Sequence, residues 1–115
     1  GDIWIGPGAS QHKARLKDRL LFLSGVVSTT ADEDIASQTR DVLDQIEATI
    51  HSLGHTGLEF AWAWVAIRHQ RDFVEFNRAW QDWFRDKGRS LPCRTTVRAD
   101  PMPPKALVEV TGIAV

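Results

Sequence analysis

Large and small side chains alternate through Phe60-Ala61-Trp62-Ala63-Trp64-Val65, a pattern that few backbones can use. A period of two belongs to a strand, whose successive side chains point to opposite faces. The segment is therefore predicted to be a strand with Phe60, Trp62 and Trp64 on one face. Ala61 and Ala63 face the other way, where a helix can approach closely. A sheet covered by helices on one side then has an aromatic second side to hide. Tryptophans left in water there would form the kind of apolar patch that marks an interface. Oligomerisation is expected on this ground alone.

The rest of the chain supplies the helices and further strands. Residues 1–10 read as irregular, punctuated by Gly6, Pro7 and Gly8, with Trp4 and Ile5 free to pack on a core edge or a neighbouring subunit. A hairpin is expected between Lys13 and Val27: KARLK, a tight Asp18-Arg19 turn, then LLFLSGVV, with Leu20–Leu23 read as a buried strand. Thr30 and Glu33 have capping-box spacing, and Asp32 and Asp34 suit a first helical turn. Ile35, Val42, Leu43, Ile46, Ile50 and Leu53 then recur at helical spacing. Gln38, Arg40, Asp41, Gln45 and Glu47 fall on the opposite, polar face, and Gly54 sits where a cap is expected. A second helix is predicted from about Asp72 to Lys87, with Phe73, Phe76, Trp80, Trp83 and Phe84 inward and Gly88 ending it. Strands over Arg94–Arg98 and Ala106–Ala114 close the chain. The predicted order is β-β-α-β-α-β-β in one α+β domain over residues 1–115: a mostly antiparallel sheet backed by two helices on one face.

Size and charge narrow the function classes. At 115 residues the chain makes one domain, and 43% hydrophobic residues make it globular. A formal charge of -1 gives no electrostatic case for nucleic acid, whose backbone selects clustered Lys and Arg. His12, Lys13, Arg15, Lys17 and Arg19 form a local basic run, read as a solvated strand face. Cys93 is the only cysteine, which favours a reducing, cytoplasmic location. No signal peptide is visible, and no apolar run reaches the roughly 20 residues that cross a membrane. His12, His51, His55 and His69 show no metal-ligand spacing, and no phosphate loop or dinucleotide fingerprint occurs, so neither metal nor cofactor is expected.

The chemistry concentrates in the last quarter, LPCRTTVRADPMPPKALVEVTGIAV. Arg94 opens one strand-like run. Glu109 interrupts another built from Leu107, Val108, Val110, Ile113 and Val115. A glutamate there marks either an edge or surface position or a carboxylate sharing a small pocket with the guanidinium.

LLFLSG at 20–25, QTRDVLDQIEATIHSLG at 38–54, RDFVEFNRAWQDWF at 71–84 and PCRTTV at 92–97, followed by the proline turn and LVEVTGIAV, together resemble the Rid (YjgF-like) family of imine and enamine deaminases. The similarity covers roughly residues 11–115. It implies a chorismate mutase-like fold of the bacillus type and a homotrimer with active sites in clefts between subunits. It also implies cofactor-free hydrolysis of imines derived from compounds such as 2-aminoacrylate. On that resemblance Arg94 would bind the substrate carboxylate, a role suited to its planar fork of donors. Glu109 would position or activate water. Gly25 would let the substrate approach the backbone, and donors near Cys93 would orient it. Asn77 would fix local structure, and the Cys93 side chain would pack rather than attack.

Three departures from the family pattern stand out. GPGASQ at 6–11 lacks the family's tyrosine, and the chain has no tyrosine anywhere. SGVVS replaces the SGQ motif, and Ala63 and Trp64 stand in place of a Thr-Thr pair. An altered pocket wall suggests a larger unsaturated acid, such as 2-aminomuconate, with Trp62 or Trp64 facing it; the other reading packs both at the trimer interface. Two rival functions stay open: a non-catalytic, carboxylate-binding regulatory trimer, and a ribonuclease, which the lack of a basic aromatic surface disfavours.

Overall fold

In the computed structural model, which describes residues 3–6, 11–30, 34–54 and 57–115, the hairpin forms where the sequence places it. Asp18 and Arg19 both take left-handed backbone angles (φ 51° and 65°) and return β2 (Ala14–Lys17) into β3 (Leu20–Val27). Two positive φ values are what a two-residue hairpin turn needs if it is to match the strands' twist. β3 is buried on one side only. Leu21 and Leu23 are in the core, while Leu20 and Phe22 are exposed on the other face. The expected irregular start contains a further short strand, β1 (Ile3–Ile5), which pairs antiparallel with β2. The side chains of Trp4 and Ile5, and residues 7–10, lie outside the described residues.

α1 spans Ile35–His51 and begins later than the Thr30/Glu33 spacing implies. Its cap is Asp34, whose carboxylate accepts from the Ser37 N–H at 2.8 Å. Thr30 instead pairs its hydroxyl with that of Ser28 at 2.8 Å, and Asp32 and Glu33 lie outside the described residues. Ile35, Val42, Leu43 and Ile46 are buried as expected, but so is Gln38, which the helical pattern assigned to the polar face. Its amide bridges to the segment before the last strand, donating to the Lys105 carbonyl at 3.1 Å and accepting from the Leu107 N–H at 2.8 Å. A buried amide with both functions engaged is tolerated in a core.

β4 covers Phe60–Ile67. A 3-10 turn (Gln70–Asp72) leads into α2 (Phe73–Lys87), which ends at Gly88 in the left-handed conformation, with Arg89 N–H reaching back to the Phe84 carbonyl at 2.9 Å. Phe76, Trp80, Trp83 and Phe84 are buried, whereas Phe73, in the first turn, is 40% exposed. β5 (Cys93–Arg98) and β6 (Val108–Ala114) complete one six-stranded sheet in the order β1-β2-β3-β6-β4-β5. Every pairing is antiparallel except β4 with β5.

Both helices lie on one face of the sheet. Ala63, Val65 and Ile67 of β4 and Val108, Val110 and Ala114 of β6 meet them in the core. One part of the aromatic pattern resolves differently from expectation. Ladder register shifts between Phe60 and Trp62, so Phe60 pairs with buried Ala114 and packs on the core, while Trp62 pairs with Ile113 on the open face. An extra residue in a strand changes which side its neighbours face. The open face thus carries Trp62 and Trp64 but not Phe60, and Trp62 is 39% exposed.

Candidate functional site

β6 lies between β3 and β4, so Glu109 is in a central strand and not at an edge. Val108 and Val110 on either side of it point into the core, which turns Glu109 to the open face. Its cross-strand partners there are Val27 and Ala66. Trp64 stands one pair further along the same face, opposite Thr111 of β6 and Thr95 of β5. Glu109 also lies against Gly25. A Cβ built on Gly25 would stand 2.8 Å from the carboxyl carbon of Glu109.

Arg94 projects the other way. Its register partner is Ala63, a core residue on the helix side of β4. The guanidinium lies over α2, 5.0 Å from the centre of the Phe76 ring and 5.3 Å from that of Trp80. Such seating is favourable when the cation is partly desolvated. Asn77 Oδ1 accepts from Nη2 at 2.5 Å. The contact matches the local fixing role that the resemblance implies for Asn77, with Arg94 as its partner. Burial pushes the arginine's pKa down, yet arginine keeps its charge in proteins. No carboxylate among the described residues pairs with it, so most of its five N–H donors have no protein acceptor.

One chain thus brings Gly25 to Glu109, with Trp64 on the same face, and Asn77 to Arg94. It does not bring Arg94 to Glu109: they face opposite sides of the sheet with β4 between their strands. Cys93 is adjacent to Arg94 in sequence, exposed, and turned to the open face by the alternation of β5. Phe76 and Trp80 were legible only as core residues. Nothing local in the sequence pairs α2 with a strand about one helix length further on. A cavity of about 230 Å³ lies between the two helices and the start of β4, lined by Ile46, Ile50, Leu58, Trp83 and Phe84 with Glu47 and Arg89 at its rim. Neither Arg94 nor Glu109 lines it, so it is separate from this chemistry. Among the described residues no cluster of ligating side chains could hold a metal, and no helix is long and apolar enough to cross a membrane.

A family model described as Endoribonuclease L-PSP matches residues 9–115. A RutC family protein of Sulfurisphaera tokodaii is 35% identical over 80 residues, covering 70% of this chain and 62% of that one. The 3-aminoacrylate deaminase RutC of Acinetobacter baylyi is 24% identical over 114 residues, covering 94% and 88%. Among solved structures, a YjgF family member from Neisseria meningitidis is 29% identical with a TM-score of 0.87, covering 100% of this chain and 94% of its own. A Yersinia pestis protein of the Rid family is 27% identical with a TM-score of 0.83, covering 99% and 98%.

Proposed function

The chain belongs to the endoribonuclease L-PSP family, which includes the YjgF and Rid proteins, and from that premise we propose that it hydrolyses reactive imines and enamines. The products are a keto or oxo acid and ammonia. The observation that carries the reading is Arg94: a half-buried guanidinium, seated on two aromatic rings, fixed by Asn77 and, among the described residues, facing no carboxylate. Free, oriented, partly desolvated donors suit a carboxylate supplied by the substrate. A relative called 3-aminoacrylate deaminase supports C–N hydrolysis on a small unsaturated acid.

In this mechanism Arg94 holds the substrate carboxylate and so places the imine carbon. An enamine first gains a proton on its β-carbon and loses one from nitrogen, becoming the imine; water then adds across C=N to give a carbinolamine, which collapses to a carbonyl and ammonia. Glu109 takes a proton from the attacking water and returns one to the departing nitrogen. No cofactor enters. The two side chains meet in a homotrimer, where the cleft between copies joins the helix-side edge of one chain to the open face of the next. Leu20, Phe22 and Trp62, each about two-fifths exposed, give that assembly an apolar surface to cover. Trp64, near Glu109, enlarges the range to unsaturated acids such as 2-aminomuconate, and donors around Cys93 orient the substrate. A cytoplasmic location accompanies this reading, with Cys93 the sole cysteine.

One observation favours a second reading, a regulatory trimer that binds carboxylates without turnover: within a chain, Arg94 and Glu109 stand apart. The test is ammonia release from freshly generated imino acids, including 2-aminoacrylate and 2-aminomuconate. Turnover supports the deaminase, whereas saturable carboxylate binding without turnover supports the second reading.

A further inference from the structure

Gly25 sits in β3 where its pairing with β6 slips between Leu23 and Val26. Its φ lies outside the left-handed region, so the backbone there does not require glycine. What the missing side chain provides is space. A Cβ at this position would meet the Glu109 carboxyl carbon at 2.8 Å, Oε2 at 3.0 Å and Cγ at 3.2 Å. The carboxylate therefore lies across the bare Cα. Among the described residues it has no hydrogen bond or ion pair to hold it, and its cross-strand partners, Val27 and Ala66, have only apolar side chains. Irregular pairing of this kind is a known way to re-aim a side chain beside a site.

We propose that Gly25 is a positioning residue for Glu109: the slot it leaves open sets where the carboxylate stands. This adds to the expectation that Gly25 lets a ligand approach the backbone, and it rests on the reading of Glu109 as the group that handles the water. The two nearest atoms, the carboxyl carbon and Oε2, form the far end of one long side chain, with Cγ behind them. A methyl group at position 25 can therefore move the carboxylate without breaking the sheet.

The test is Gly25→Ala, compared with Glu109→Gln and with the double variant Gly25→Ala/Glu109→Asp. The crystal structure of Gly25→Ala should show the fold retained and the carboxylate displaced. With an imino acid substrate, kcat should fall about 10- to 100-fold, because displacing a reacting group by an ångström costs rate. KM should stay within about twofold, because Arg94 is untouched. In the double variant the shorter acid withdraws from the methyl group and should recover part of the lost kcat. An unmoved carboxylate, or a moved one with kcat unchanged, would overturn the proposal. So would a protein that melts early and loses kcat and KM together, since glycine would then serve only the fold. If the wild type hydrolyses no imine, the deaminase reading fails, and the carboxylate's place in the Gly25→Ala crystal structure still decides whether Gly25 sets it.

Discussion

Arg68 and Arg94 carry the same side chain into different surroundings, and the contrast separates a structural from a functional cation. Arg68 donates to three carbonyls, those of Ala106 at 2.8 Å, Pro101 at 2.7 Å and Pro103 at 2.9 Å, which pins the proline turn between β5 and β6. Its Nη1 lies 3.7 Å from the Asp100 carboxylate. Among the described residues Arg94 has one acceptor and two rings beneath it, which leaves its fork open to an anion. The sequence identified Arg94 through its surrounding motif, but Arg68 carried no signal, because its partners are backbone carbonyls some 35 residues away. Gln38 was misplaced for a related reason. A helical pattern records which side a residue faces, not which unpaired backbone groups another segment brings to that side. Replacing Gln38 with Leu should remove the acceptor of the Leu107 N–H and cost about 2 kcal/mol, read from urea unfolding. A loss below a few tenths would mean that water replaces the amide at once.

Among the elements, the hairpin and both helices were legible because their signals are local: turn chemistry, apolar spacing, a terminal glycine. The two ladder irregularities were not, since an extra residue in a strand appears only against its partner. One of them moves Phe60 from the open face to the core, and the other places Gly25 beneath Glu109. The Asp18-Arg19 turn stores a small strain of its own, because Arg19 adopts φ 65° with a side chain attached. Glycine takes that conformation freely, and Asp-Gly is a favoured pair for this turn. Arg19→Gly should therefore stabilise the protein by about 1 kcal/mol, visible as a higher unfolding midpoint with an unchanged denaturant slope. A lowered midpoint would show that the arginine side chain makes a contact worth more than the strain.

For the whole molecule, the sheet order places Glu109 centrally on an apolar face and Arg94 on the edge strand facing the helices. The sequence could name both residues but could not show that they point apart, because that depends on the register of three strands. The proposed assembly would bring the two together. Trp62→Glu puts a charge on the face that copies are proposed to share. It should lower the mass measured by light scattering from trimer toward monomer and abolish turnover, with helix content unchanged by circular dichroism. A wild type that is monomeric at working concentration would remove this explanation.

The most direct test of the central claim is the rate of ammonia release from freshly generated 2-aminoacrylate, measured for the wild type beside Arg94→Ala of verified fold and mass. The account predicts turnover in the wild type and a loss of about 100-fold or more in kcat/KM in the variant, as expected for a charged, oriented contact to the reacting substrate. Equal rates in the two proteins would contradict it.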